Sequence, residues 1–255
     1  MKEAIKNRKG QKIVVLVEGT DNKKGLAFVM HGLGGFKEQP HIQAMADAFL
    51  ENGYTVVRFD TTNTFGESDG KYEDATVTNY YEDLEEVIRW AESQPWYKEP
   101  FVLVGQSLGG ICTALYAENY PEKVKALAPI STVVSGKLSM ETEYMKEVSE
   151  KWKETGWLEE ESISKPGVIK WLRWSHAEDR LKYDLLPMAH KLTMPILMVI
   201  GSRDSATPPE HQKILFDALP GPKEFNIIKG SGHNFRKDRE REELKKLFND
   251  WIKKI

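Results

Sequence analysis

Short apolar runs rich in β-branched residues alternate along this chain with segments whose apolar residues return every three or four positions. The runs Lys12–Glu18, Ala27–His31, Thr55–Phe59, Phe101–Val104, Ala126–Ile130, Ile196–Ile200 and Glu224–Ile228 are predicted strands. Several of them are continuously apolar (Val102-Leu-Val104 and Ile196-Leu-Met-Val-Ile200 among them), the pattern of strands covered on both faces. Between them, Tyr81, Leu84, Val87, Ile88 and Ala91 fall on one helical face. Leu244, Leu247, Phe248, Trp251, Ile252 and Ile255 do the same at the C-terminus. Gly53 and Pro121 mark expected stops of two further helices. Strand and helix in alternation predict an α/β fold with a mostly parallel, doubly covered central sheet. The first two predicted strands, joined through Asp21-Asn-Lys-Lys-Gly25, are expected to pair antiparallel at its edge.

From 134 to 188 the rhythm breaks. No parallel-strand run is visible, and Met140, Tyr144, Val148 and Trp152 recur at steps of four. This stretch is read as a mainly helical cap insertion, with the core formed by 1–133 and 189–255. Trp152, Trp157, Trp171 and Trp174 fall within it. They either wall a substrate pocket or glue the cap to the core.

Composition narrows the classes. Hydrophobic residues make up 40% of the 255, and charged residues 29%, an ordinary globular balance. The 29.2 kDa mass predicts a folded surface of roughly 11,500 Å² and one large core. With 36 basic and 39 acidic side chains, the net charge of −3 offers no footprint for nucleic acid or an anionic membrane. No run approaches the ~20 apolar residues of a membrane span. The single cysteine, Cys112, cannot form an intramolecular disulfide, and no secretory signal pattern is visible near Met1, so a cytoplasmic protein is expected.

The densest chemistry follows the fourth predicted strand, in Gly105-Gln-Ser107-Leu-Gly109-Gly110. A strand, then Gly-x-Ser-x-Gly, then a helical segment is the context of a nucleophile elbow. Side chains at 105 and 109 would collide in so tight a turn, hence glycine at both. The turn lifts the Ser107 hydroxyl clear of the sheet and aims the Leu108 amide at any developing oxyanion.

A serine needs a base, and the base needs an orienting acid. Asp204 follows the strand Ile196–Ile200 and precedes Pro208-Pro209; His233 follows the strand Glu224–Ile228 within Gly230-Ser-Gly232-His233. All three candidates come after separate strands, in the order Ser, Asp, His expected for this elbow. Asp179 and Asp184 are weaker candidates for the acid, since neither follows a strand. The strand Ala27–His31 runs into Gly32-Leu33-Gly34-Gly35, whose amides can approach a substrate. Leu33 N–H is expected as the second oxyanion donor, with Gly34 N–H as the alternative. His31 is expected to hold this loop; His41, His176, His190 and His211 read as surface or packing residues. No His/Cys/Asp/Glu cluster has metal-ligand spacing, so neither metal nor cofactor is expected.

Together these residues resemble the α/β-hydrolase superfamily over essentially the whole chain. The motifs that carry the resemblance are His31-Gly-Leu-Gly-Gly35, Gly105-Gln-Ser-Leu-Gly109, Gly201-Ser-Arg-Asp204 and Gly232-His233. Lys37-Glu38, Arg58-Phe-Asp60 and Gly66-Glu-Ser-Asp-Gly70 look most like small bacterial carboxylesterases, near the cinnamoyl/feruloyl esterases and monoacylglycerol-lipase-like hydrolases. The resemblance implies ester hydrolysis through an acyl-enzyme on Ser107, an oxyanion hole from the Leu33 and Leu108 amides, and a cap that shapes the acyl pocket. Gln106 stands where many relatives carry histidine, a tolerable departure because its side chain need not reach the chemistry.

The expected function is therefore a serine carboxylesterase acting with water on a small-molecule ester of short or medium acyl, or aryl, type. A peptidase, amidase or thioesterase would share every motif. A hydrolase fold retained as a binding module is the non-enzymatic reading.

Overall fold

In the computed structural model, which describes residues 1–21, 24–161 and 167–255, ten strands and eight α-helices follow one another. The N-terminal half runs β1 (Lys2–Lys6), β2 (Lys12–Glu18), β3 (Gly25–Met30), α1 (Pro40–Glu51), β4 (Tyr54–Asp60), α2 (Val77–Ala91), β5 (Phe101–Gln106), α3 (Leu108–Asn119) and β6 (Val124–Ile130). After it come α4 (Gly136–Met140), α5 (Glu143–Thr155), β7 (Trp157–Glu161), β8 (Ile169–Arg173) and α6 (Ser175–Arg180). The chain closes with β9 (Ile196–Gly201), α7 (Pro209–Ala218), β10 (Lys223–Ile228) and α8 (Asp238–Ile252).

Eight strands form one sheet in the order β1-β2-β4-β3-β5-β6-β9-β10. From β4 to β10 every pairing is parallel, and β2 is antiparallel to β4. The α/β reading and the doubly covered sheet are thus observed. Strand alternation divides the core in two. Phe28, Met30, Val57 and Leu103 point toward α2 and α3, while Ala27, Val29, Val56 and Val102 point toward α1 and α8. Leu244, Phe248, Trp251 and Ile252, one stripe of α8, are all buried in the second layer. The solvent-accessible surface is 11036 Å², close to that expected from the mass.

The expected pairing of the first two predicted strands, β2 and β3, does not occur, because β4 lies between them. Val57 of β4 pairs with Val17 on one side and Phe28 on the other. Every residue of β4 is buried, so it cannot sit at an edge, and covering it outweighs the short connection between β2 and β3. Asn22 and Lys23 of that connection lie outside the described residues. Strand β1 escaped the sequence reading because Lys-Glu-Ala-Ile-Lys buries only Ile5 and owes its form to pairing with β2.

The 134–188 stretch is less helical than expected. Besides α4, α5 and α6 it holds the antiparallel pair β7–β8, in which Leu158 faces Leu172. Those two leucines are the strands' only buried residues, too few to register as an apolar run. Trp152 fills the space beneath: it is 1% exposed, donates from Nε1 to Leu172 O at 3.0 Å and meets Trp174 edge-on at 5.4 Å. No helix among the described residues is long and apolar enough to cross a membrane.

Candidate active site

Parallel strands bring their C-terminal ends to one edge, and the loops leaving β3, β5, β9 and β10 meet there. Strand β3 leads into α1 on one face and β5 into α3 on the other. Their junction is a topological switch point, where open α/β sheets form crevices.

At that crevice Ser107 has φ 55° and ψ −115°, a left-handed conformation that only a tightly constrained turn imposes on a non-glycine residue. The flanking glycines have a steric cause. A Cβ on Gly105 would lie 2.2 Å from Gly109 O, and one on Gly109 would lie 2.4 Å from His31 O. Gly32 is pinned likewise, with a Cβ 2.9 Å from that of Ser107.

The structure brings Ser107, His233 and Asp204 together. Ser107 Oγ lies 2.9 Å from His233 Nε2, and His233 Nδ1 lies 2.8 Å from Asp204 Oδ2. Asp204 is 3% exposed. Burial alone would raise its pKa, but the attraction and hydrogen bond of His233, with the Thr207 N–H and hydroxyl, hold the carboxyl below its ordinary range. An ionised Asp204 only accepts, so Nδ1 carries the imidazole proton and Nε2 is free to take one from the Ser107 hydroxyl. Thr207 does further work: its hydroxyl lies 3.0 Å from both Asp204 Oδ2 and Ser131 O, two acceptors that share its single proton. The sequence reading passed over this threonine, although Asp-x-x-Thr before a helix marks such a turn. Asp179 and Asp184 are engaged elsewhere, the first with Thr78 and Lys182, the second with the Leu186 N–H.

The N–H groups of Leu33 and Leu108 have no acceptor among the described residues, and both residues flank the Ser107 hydroxyl in sequence or space. Gly34 N–H is not available: it donates to Tyr80 Oη at 3.2 Å, and Gly34 needs its φ of 64°. His31 is fully buried, with Nδ1 2.8 Å from Gly32 O and Nε2 accepting the Thr61 N–H. Burial lowers its pKa, and both nitrogens are spent on the loop. His41 and His176 are buried, His211 half-buried and His190 exposed.

The residue beside the serine takes a position that its letter did not require. Gln106, 2% exposed, does reach the imidazole: its Nε2 lies 3.2 Å from His233 Nε2, 3.3 Å from His233 O and 3.4 Å from Asn234 Oδ1. The turn at Ser107 reverses the chain so sharply that the residue before it faces the base instead of the sheet.

A cavity of about 230 Å³ opens on Ser107. Its outer wall comes from the 134–188 stretch through Ser139, Thr142, Tyr144, Met145, Glu160, Lys170 and Arg180. Trp152, Trp157, Trp171 and Trp174 are not in the lining, which corrects the pocket reading of them. Trp152 and Trp174 pack together under the hairpin, whereas Trp157 takes Trp171 edge-on at 6.4 Å and the Arg173 guanidinium over its ring at 4.5 Å. Broad rings with one N–H donor fill layers between elements better than they line a polar cleft. Among the described residues no three His, Cys, Asp or Glu side chains group as metal ligands.

Comparison with known proteins agrees with this architecture. The chain is 29% identical over 235 residues to an uncharacterized 31.7 kDa protein of the traX-finO intergenic region of Escherichia coli, covering 80% of this chain and 81% of that one. It is 26% identical over 191 residues to the mitochondrial palmitoyl-protein thioesterase ABHD10 of Mus musculus, covering 73% of this chain and 61% of the relative. Among solved structures, Est1E of Butyrivibrio proteoclasticus with bound ferulic acid superposes with a TM-score of 0.81 at 22% identity, over 99% and 98% of the two chains. Mouse alpha/beta hydrolase domain-containing protein 10 gives 0.81 at 21%, over 100% and 99%. A family model described as alpha/beta hydrolase fold matches residues 28–157, just over half of the sequence. On that match, and on a sheet of this order with its crevice at this edge, the chain belongs to the α/β-hydrolase family.

Proposed function

We propose that this hydrolase cleaves carboxylic esters through an acyl-enzyme on Ser107. The observation that carries the reading is the unbroken relay from the Ser107 hydroxyl through His233 to buried Asp204, at 2.9 and 2.8 Å. In this reading His233 Nε2 takes the hydroxyl proton as Ser107 Oγ attacks the carbonyl carbon. The oxyanion is held by the Leu33 and Leu108 N–H groups, and His233 then protonates the departing alkoxide. Water repeats the sequence on the acyl group and frees the acid. The small cavity favours short or medium acyl, or aryl, esters. Buried Cys112, the chain's single cysteine, fits a cytoplasmic setting.

A thioester is the second reading, favoured by the name of the mouse relative, palmitoyl-protein thioesterase. The same relay would serve, with a thiolate leaving. Purified protein should be compared on aryl esters, acyl-thioesters and aminoacyl amides. Ester turnover dominant over the other two supports the proposal, and thioester turnover dominant would overturn it in favour of the second. Fluorophosphonate labelling mapped to Ser107 separates both from a binding module, which would give no adduct on folded protein.

A further inference from the structure

Arg180, the last residue of α6, stands in the wall of the Ser107 cavity and is only 8% exposed. Its charge has no salt-bridge partner among the described residues, and the undescribed positions 22–23 and 162–166 contain neither Asp nor Glu. Its Nε has no hydrogen-bond partner, and Nη2 finds only the thioethers of Met140 and Met145, at 3.3 and 3.6 Å. Thioether sulfur is a weak acceptor, so these contacts leave the guanidinium's five donors nearly unused.

The rest of the wall compensates only in part, because Glu160 attracts the charge from beyond salt-bridge reach. Glu160 is the nearby acid, but it is taken by Lys170 at 3.0 Å and by the Tyr144 hydroxyl. Pairing Glu160 with Lys170 leaves the positive charge of Arg180 over. Burial drives the guanidinium's pKa down to about 10, which still leaves it charged at neutral pH. A buried charge without partners is costly, and proteins rarely keep one unless a ligand completes it. Nor can the group retreat to solvent. Its carbonyl accepts the Tyr183 N–H at 3.1 Å, and a Cβ on Gly136 would lie 2.0 Å from that carbonyl oxygen, so α6 is locked against the start of α4.

We infer that the substrate of this cavity carries a carboxylate, which Arg180 takes through its unused N–H fork while the ester carbonyl lies at Ser107. Guanidinium and carboxylate match as planar, bidentate partners, and in a cavity shielded from water the pair gains more than at a surface. The inference deepens the proposed ester hydrolysis and rests on Ser107 as the nucleophile. The carboxylate can belong to the acyl group, as in a dicarboxylic half-ester, or to the alcohol, as in an esterified hydroxy acid.

Two matched pairs distinguish these sources: monomethyl adipate against methyl hexanoate, and 4-acetoxybutanoate against butyl acetate, followed by pH-stat titration. Wild-type protein is expected to prefer the carboxylate member of one pair by tenfold or more in kcat/KM. In Arg180→Met that ratio should fall at least tenfold, with Arg180→Lys intermediate because it keeps the charge without the fork. Arg180→Met should also melt higher than wild type, since an apolar chain among Met140 and Met145 replaces an unpaired charge. A guanidinium that serves only the fold would instead leave the ratio unchanged and melt lower. If Arg180→Met does not fold, Arg180→Lys still reads the ratio.

Equal turnover of both members of both pairs by wild type overturns the inference and leaves ester hydrolysis standing. If none of the four esters is cleaved, calorimetric titration of adipate into Ser107→Ala decides separately. Binding weakened tenfold or more by adding Arg180→Met supports the carboxylate site without the esterase reading, and no adipate binding overturns it.

Discussion

The side-chain nitrogen of Gln106 lies 3.2 Å from His233 Nε2, almost as close as the Ser107 hydroxyl at 2.9 Å. Two donors therefore converge on one acceptor lone pair. Accepting positions at His233 O and Asn234 Oδ1, 3.3 and 3.4 Å away, make nitrogen the atom that faces the ring. The amide braces the imidazole. Gln106→Met is expected to lower kcat about tenfold with little change in KM, through a less restrained ring. Gln106→Glu keeps the length but puts an oxygen where the donating nitrogen stands, so it should lose at least as much kcat as Gln106→Met. An unchanged kcat in both variants would show that the side chain does not act on the base.

Removing the ends of the relay tests the proposed chemistry most directly. Ser107→Ala should lower turnover by about 10⁴ or more, and Asp204→Asn by a similar factor, because the amide cannot hold the same His233 tautomer. Circular dichroism and thermal melting should show both variants folded. Most activity surviving in Asp204→Asn would move the acid to another residue.

The glycines of the elbow separate position from mere tightness. Gly105→Ala forces a Cβ to within 2.2 Å of a backbone oxygen, Gly109 O, so Ser107 must shift. A loss of about 1–3 kcal/mol in stability is expected, with a fall of about 10² in kcat/KM. Gly10, by contrast, has a positive φ, 77°, but a Cβ there meets nothing within 4 Å. Gly10→Ala should cost about 1 kcal/mol and leave kcat/KM unchanged. Equal losses of activity in the two variants would contradict the steric account.

Buried histidines set a pH limit on stability. Burial lowers the pKa of His41 and of His176 from 6.5 to about 3. Below pH 6.5 the unfolded chain takes up protons at both sites that the folded chain refuses, so stability is complete above that pH and declines as pH falls toward 3. Each histidine contributes a slope of up to about 1.4 kcal/mol per pH unit in that window. Urea unfolding between pH 7 and pH 5 should show the midpoint falling. His176→Asn, which can still donate to Ala75 O in place of Nδ1 at 2.9 Å, should flatten the slope. A midpoint constant across that range in wild type would rule out the assignment.

What could be read from the residues and what could not divides along the range of the forces involved. The elbow is largely a local object: a β-rich run, two glycines and a helix within ten residues specify it, and the clash of Gly105 with Gly109 O lies within them, although Gly109 also abuts His31 O from the neighbouring strand's loop. Asp204 and His233 were legible because each follows an apolar strand, and parallel strands must end on a common edge. The α/β class came from the two periodicities. Order within the sheet was not legible, because burying all of β4 is a property of the assembled layers and no feature of the β2–β3 connection announces it. The roles of Gln106 and Arg180 were hidden for the same reason. As letters they are a polar residue beside a serine and a basic residue after Glu178-Asp179 at a helix end, where solvent would be the expected neighbour. Only the packing of α6 and the rest of the 134–188 stretch removes the water and leaves the guanidinium facing the cavity. Sequence thus determined which chemical groups are present and on which edge they emerge; tertiary structure decided which of them are desolvated, and desolvation is what turns a side chain into part of a site.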